Sequence, residues 1–266
     1  MEPRLAAIWR YPVKSIGSEP LERVALEADR AMAWDRRWAI AHSGGDWDPA
    51  APAWHRPNNF LRVTQIPALA RVTATCTADA DDPVVTFRHP DRPEIALRPD
   101  TEAGAAALTD WVAPLVGDRR KGPFRLATVP GRALTDASEP FVSVLSLASL
   151  RALGQHLGRD FSDRAAQLRF RGNFWVEGLA PWEEEDWVGR EITVGSGPAT
   201  LRLRVEEPIG RCRATEANPA TGAYDAATLD ALRRIRDHTE FGLYARVLEG
   251  GEVAVGDRVA LQTVGA

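Results

Sequence analysis

The feature that most constrains this chain is a succession of short apolar or alternating runs, each stopped by Gly, Pro, Asp or Asn. They cover residues 5–11, 37–41, 60–64, 84–88, 124–129, 141–146, 174–177, 201–205 and 241–248. Runs of that length and punctuation make strands rather than helices. Helical periodicity is confined to residues 147–157, where Leu147, Leu150, Leu153 and Leu157 share a face, to residues 104–116 with Leu108, Trp111 and Leu115, and to residues 226–236 with Leu229, Leu232 and Ile235. Strands and helices do not alternate regularly, which argues against a doubly wound parallel sheet. The expected class is mainly β with a few short helices (α+β), barrel-like or mixed. The polar stretch 119–123 (RRKGP) separates two halves of similar strand density and predicts domains at 1–122 and 123–266. Residues 46–57 (DWDPAAPAWHRP) read as a surface loop whose tryptophans either cap a pocket or pin the loop.

Composition removes whole classes of function. Hydrophobic residues at 44% and charged residues at 26% are globular proportions, and a net charge of −4 gives no global attraction to nucleic acid or anionic lipid. The N-terminal MEPRLAAIWRYPVKS has no long apolar run, so neither a signal peptide nor a membrane anchor is expected and the location reads as cytoplasmic. Cys76 and Cys212 are the only cysteines, too few for a disulfide framework, a CxxC zinc site or an iron–sulfur cluster. The chain contains no P-loop, HExxH or GxSxG, and Gly195-Ser196-Gly197 lacks the third glycine of a dinucleotide fingerprint. His42, His55, His89, His156 and His238 are isolated in sequence and read as surface or hydrogen-bonded side chains.

Four small polar clusters remain. Tyr11-Pro12-Val13-Lys14-Ser15 sets an ammonium beside a hydroxyl, suited to an anion, and Lys14 is one of only two lysines in the chain. Asp35-Arg36-Arg37-Trp38 heads a run in which strand alternation sends Arg36 and Trp38 to one face and Asp35 and Arg37 to the other, so one arginine points inward. An inward guanidinium needs a carboxylate such as Asp29 or Asp35, or a ligand phosphate. Arg169-Phe170-Arg171-Gly172-Asn173 places a phosphate-binding arginine and an amide suited to a pterin or purine edge, or merely a turn held by Asn. In Gly210-Arg211-Cys212-Arg213-Ala214-Thr215, Cys212 is flanked by two cations and is a candidate soft metal ligand or nucleophile, whereas Cys76 in ARVTATCTAD reads as a small buried hydrophobe.

Taken in order, YPVKS, DRRW, RFRGN, GRCRAT, NPATG and FGLYARVLEGGEVAVGDRV resemble the MOSC family over nearly the whole chain. The resemblance implies a β-barrel-like MOSC N-terminal domain followed by a MOSC β-barrel domain, as in molybdenum cofactor sulfurases and amidoxime-reducing proteins. It also implies a molybdenum cofactor (Mo-molybdopterin) held between the two halves, with Cys212 as metal ligand and catalytic residue. By motif match, Lys14, Ser15, Arg36, Arg171, Asn173 and Arg211 bind the pterin and its phosphate. Asp136 and Ser146, in TDASEPFVSVLS, match the TDA or SDA segment and the strand after it, and Ser146 joins the cofactor-binding set; Thr215 matches the threonine after the cysteine. Ile209 stands where amidoxime reducers often have a second cysteine, Gly172 replaces the proline of RFRPN, and Ala33-Trp34 differ from the usual small residues.

The implied activity is reduction of N-hydroxylated compounds, such as amidoximes or N-hydroxylated bases, to the reduced nitrogen compound and water. Two electrons are then required, and a separate ferredoxin, flavoprotein or small haem protein is the expected donor. Two other readings stay open: a cofactor-binding or sulfur-carrier protein in which Cys212 holds a persulfide or hands on the cofactor without turnover, and a β-rich protein with Cys212 in its core and the arginines on its surface. Sulfurases of the family carry a further pyridoxal-phosphate-dependent domain for which the chain has no room, so a stand-alone sulfurase is not expected.

Overall fold

A computed structural model describes residues 2–77, 82–197 and 200–262. The first half runs β1 (Arg4–Arg10), β2 (Glu19–Leu21), β3 (Arg23–Leu26), β4 (Trp38–Ala41), β5 (Thr73–Cys76), β6 (Val85–His89), β7 (Arg92–Leu97) and α1 (Glu102–Val116). The second runs β8 (Arg125–Thr128), β9 (Val142–Ser146), α2 (Leu147–His156), α3 (Arg164–Phe170), β10 (Phe174–Glu177), β11 (Glu191–Val194), β12 (Leu201–Gly210), α4 (Thr228–Arg236), β13 (Glu240–Glu249), β14 (Gly251–Ala254) and β15 (Val259–Leu261). The architecture is mainly β with four α-helices, as the short runs predict. Among the described residues no helix is long and apolar enough to cross a membrane.

An eight-stranded sheet in the order β15-β11-β12-β13-β9-β10-β1-β2 forms the centre, with β9 and β10 parallel and the other neighbours antiparallel. Leu5 N donates to Asp257 O (2.8 Å) and Val259 N to Pro3 O (2.9 Å), which curls β1 back toward β15. Period-two alternation sorts side chains between two cores. Val142 and Val144 of β9, Phe174 and Val176 of β10, and Leu243, Ala245 and Val247 of β13 fill the inside of the curl. Leu145, Trp175 and Phe241 face outward and are covered by Leu150 and Leu153 of α2, Phe170 of α3 and Leu232 of α4. A third core in the first half joins Trp38, Ile40, Leu61, Val63, Val85, Phe87 and the α1 residues Leu108, Trp111 and Val112.

The halves interlock through strands. β1 pairs with β10, β3 with β14, and β4 with β8, so residues from both halves meet along one seam. The loop tryptophans pin rather than cap: Trp47 and Trp54 pack on the small core around Phe60 and Leu134, and Trp54 Nε1 donates to Thr135 O (3.2 Å).

Three local expectations change. Residues 60–64 form no strand: Phe60 makes a single bridge to Ala41, after which Gln65 N and Ile66 N both donate to Arg62 O (3.1 and 3.0 Å) and turn the chain. The strand expected from residue 37 begins at Trp38, because Arg36 takes φ +46°, and strand alternation therefore does not govern the DRRW cluster. The region before Arg171 is helix α3, capped by Asp163, whose Oδ1 accepts from Ala166 N (2.8 Å).

Candidate functional site

The seam between the halves holds a cavity of about 230 Å³. Lys14, Ser15, Arg36, Arg171, Asn173, Arg211 and Cys212 all line it, so residues spread over two hundred positions of sequence converge. Ser15, Arg36 and Arg171 adopt φ of 64°, 46° and 49°. For non-glycine residues this left-handed conformation costs about 1–2 kcal/mol each, a strain that concentrates where a binding surface is built. Next to Arg171, a Cβ on Gly172 would fall 2.1 Å from Leu145 Cδ1, so close packing favours glycine at this position.

Charge on the cavity wall divides into two classes. Lys14 is closed by Asp136, which its Nζ contacts at hydrogen-bonding distance, and by Leu134 O (3.0 Å). Burial lowers the Lys14 pKa, and the ammonium in turn holds the Asp136 carboxyl below the usual range. Arg36 donates from Nη1 to Asp35 Oδ2 (2.6 Å) and from Nη2 to Arg171 O (2.5 Å), while Asp35 Oδ1 accepts from Tyr11 N (2.8 Å). The inward arginine thus has Asp35 as its carboxylate, Asp35 buried and Arg36 half-buried, whereas Arg37 turns to Asp100. Arg169 pairs with Asp225 (2.7 Å).

Arg171 and Arg211 have no carboxylate partner among the described residues. Arg171 reaches only Gly17 O (3.4 Å) and Val13 O (3.3 Å), and its guanidinium lies 4.3 Å from the centre of the Tyr11 ring, whose other contact is Arg36 at 4.5 Å. Arg211 donates to Phe241 O (2.7 Å) and Phe170 O (2.8 Å), leaving Nη2 buried and unpartnered. Burial pushes both guanidinium pKa values down to about 10. Uncompensated buried cations are costly, and an anion entering the cavity relieves that cost.

Cys212 is solvent-exposed at the cavity edge. It precedes the short 3₁₀ turn Arg213–Glu216, closed by Thr215 Oγ1, which donates to Cys212 O (3.2 Å) and shares a 2.5 Å hydrogen bond with Thr228 Oγ1. Ile209 also lines the cavity and Thr215 is buried beside it. The exposure of Cys212 argues against a core role for this thiol.

Two motif residues stand differently from the rest. Asn173 reaches the wall, but its amide is used within the protein: Oδ1 accepts from Ser143 N (3.1 Å) and Ser143 Oγ (2.9 Å), and Nδ2 donates to Trp9 O (3.1 Å). Ser146 does not line the cavity; it is fully buried and its Oγ caps α2 by accepting from Ser149 N (3.3 Å). Ser143, three positions earlier and so on the opposite face of β9, lines the cavity instead. The motifs also miss wall residues. Tyr244 stands on the face of β13 opposite Leu243 and Ala245, and burial pushes its hydroxyl up to about 12, so it stays a proton donor near neutrality. Arg62 and Thr64 lie in the stretch read as a strand; the alternation of Arg and Thr with buried Leu61 and Val63 was the available signal.

The profile of the MOSC N-terminal beta barrel domain matches residues 2–121, and that of the MOSC domain matches residues 132–260. A molybdenum cofactor sulfurase of Caenorhabditis briggsae is 25% identical over 92% of the chain, and one of Anopheles gambiae is 26% identical over 91%. The chain spans about a third of the length of these relatives, 33% and 34%. Among solved structures, the YuaD protein from Bacillus subtilis aligns with a TM-score of 0.45 at 12% identity, covering 97% of this chain and 94% of that one. YiiM from Geobacillus stearothermophilus aligns at 0.33 with 19% identity, covering 47% and 55%.

Proposed function

Because the chain belongs to the MOSC family, a MOSC N-terminal beta barrel domain followed by a MOSC domain, we propose that it is a molybdenum cofactor-dependent oxidoreductase that reduces N-hydroxylated compounds with electrons from a separate protein. One observation carries the reading: two half-buried arginines without carboxylate partners among the described residues, Arg171 and Arg211, share a cavity with an exposed cysteine. That donor set fits an anionic pterin–metal group. Arg171 and Arg211 would hold the anionic tail, Ser15 would offer it a hydroxyl donor, and Cys212 would provide the soft sulfur ligand molybdenum prefers. Bound there, the cofactor would supply the two-electron couple through which the oxygen of an N–OH group leaves as water.

The chain's own residues have narrower tasks. Asp35 and Asp136 fix Arg36 and Lys14 so that the wall is rigid before any ligand arrives. Asn173, tied to Ser143 and Trp9, locks β1, β9 and β10 behind that wall and acts as a positioning residue. Thr215 fixes the turn that presents Cys212. Tyr244 offers the cavity a protonated hydroxyl, suited to an oxygen that must leave carrying protons. The electrons would come from a ferredoxin, flavoprotein or small haem protein.

A second reading, carriage of the cofactor or of a persulfide on Cys212 without turnover, is favoured by the exposure of that sulfur and by relatives named molybdenum cofactor sulfurases. Molybdenum and pterin analysis of the purified protein, followed by benzamidoxime reduction with a reduced viologen dye, separates the two. Stoichiometric molybdenum with turnover supports the reductase. Molybdenum without turnover supports carriage of the cofactor, and absence of both metal and pterin refutes the reductase and cofactor carriage alike, leaving persulfide carriage, which a mass gain of about 32 Da on Cys212 would reveal.

A further inference from the structure

We infer that Arg62 and Thr64 form a carboxylate-recognising subsite beside Cys212, so that the favoured N-hydroxylated substrate is anionic; this rests on the reductase reading above. The segment is held from three sides. Leu61 N donates to Ile40 O (2.8 Å), Arg62 O accepts from Gln65 N and Ile66 N, and Val63 O accepts from the Tyr224 hydroxyl (3.0 Å). Leu61 and Val63 are buried in the first-half core at 0% and 3% exposure, so Arg62 and Thr64, on the opposite side, line the cavity. Arg62 Nε and Thr64 Oγ1 are both buried without a hydrogen-bond partner, and Arg62 has no carboxylate partner among the described residues.

Arg62 Nε and Thr64 Oγ1 lie two residues apart on side chains that line one cavity, and neither has a partner in the protein; an N–H and an O–H so placed match the two oxygens of a carboxylate. Their position favours substrate over cofactor. Arg36 and Arg171 gather around Tyr11, and Lys14 closes on Leu134 and Asp136. Arg62 and Thr64 instead flank Val63, which is bonded to Tyr224, and the Tyr224 ring lies 4.0 Å beneath the guanidinium of Arg213, the neighbour of Cys212. A substrate that brings its N–OH group to Cys212 can thus extend an acidic end toward Arg62.

The test uses the purified full chain as isolated, with two probes that differ in one group, benzamidoxime and 4-carboxybenzamidoxime. Binding is measured by calorimetric titration, and molybdenum content is measured alongside. The carboxylated probe is expected to bind about tenfold more tightly to the unmodified chain, the size of one charge-assisted contact. Arg62→Met should erase that margin, Thr64→Val should cut it to about threefold, and both variants should keep their molybdenum. Equal affinity for the two probes, or a margin that survives in Arg62→Met, overturns the inference. So does loss of molybdenum in Arg62→Met, which would assign the arginine to the cofactor and leave the reductase reading intact. An unmodified chain without molybdenum that still shows the margin, with Arg62→Met abolishing it, would instead sink the reductase reading and leave the carboxylate subsite standing.

Discussion

Each half of the molecule sets one cysteine near an arginine held by the protein, and the two arrangements end differently. In the first half Arg10 Nε donates to Glu19 Oε2 (2.8 Å), Glu19 Oε1 accepts from Cys76 N (2.7 Å), and burial pushes the Cys76 thiol up to about 11. Cation, carboxylate and backbone close on one another there, and nothing is left for a ligand. In the second half Arg211 is half-buried, its neighbours are carbonyls, its buried Nη2 has no partner, and Cys212 opens to solvent. Residue types are shared; what distinguishes a structural cluster from a site is whether the protein itself completes the charge.

The largest effect expected from that contrast is on the closed side. Glu19→Ala leaves Arg10 buried and unpaired and should cost about 3–5 kcal/mol of unfolding free energy, read as a lower denaturation midpoint in urea. A cost below about 1 kcal/mol, the range of exposed pairs, would mean that the closed cluster is no more integral than a surface ion pair.

Glu184 sharpens the comparison because it is the mirror image of Arg211, a buried carboxyl with no cation beside it among the described residues. It is 1% exposed, accepts from Ser149 Oγ (2.7 Å), and burial raises its pKa from 4.5 to about 7. A carboxyl can escape its burial by taking a proton; a guanidinium cannot, and needs a ligand instead. The folded-state pKa lies above the unfolded one, so this group's contribution is fully present below about pH 4.5 and is lost as pH rises to about 7. The loss amounts to about 3 kcal/mol over that span. Glu184→Gln should remove it, so the two stability curves should diverge between pH 5 and pH 8 in the variant's favour. Parallel curves would show that the Glu184 carboxyl titrates alike in the folded and unfolded protein.

On the open side the expected stability effect shrinks while the ligand effect grows. Arg211→Met removes an incompletely partnered cation but strands the Phe170 and Phe241 carbonyls, and these nearly cancel, to within about 1 kcal/mol. Cofactor retention should fall at least tenfold, the loss of one charge-assisted contact. Melting with and without bound metal, together with elemental analysis, separates the two quantities. A large loss of stability in the metal-free variant would move Arg211 into the same class as Arg10.

How much of this was legible in the residues depends on whether a signal is local. Lys14, Ser15, Arg36, Arg171, Arg211 and Cys212 sit in short ordered motifs, and all of them line the cavity. Arg62, Thr64 and Tyr244 lie in stretches whose alternation is equally that of any strand, and only the meeting of the two halves turns their polar positions into a wall. Ser146 was misplaced because its position at a strand end also suits a helix cap, and the backbone of Ser149 claims its hydroxyl. The helix from Arg164 to Phe170 hid behind the polar RFRGN motif, though Asp163 is an ordinary N-cap signal. The short β2, β3 and β7 carry charged or proline-containing sequences, and their pairing, β2 with β1, β7 with β6 and β3 with the distant β14, makes them strands rather than their own propensity.

The smallest stability effect, and the most discriminating one, compares the cysteines directly. Cys76→Ser buries a hydroxyl among the apolar side chains of the first-half core and should cost about 1 kcal/mol or more, with molybdenum content unchanged. Cys212→Ser changes an exposed side chain whose surrounding turn is held by Thr215 and Thr228 through atoms the substitution does not touch. Its unfolding free energy should therefore stay within about 0.5 kcal/mol, while the soft sulfur donor is exchanged for a hard oxygen and metal retention falls. A protein in which Cys212→Ser melts early but keeps its molybdenum would reverse the roles of the two sulfurs, since closure by the protein would then be a property of the second half as well as the first.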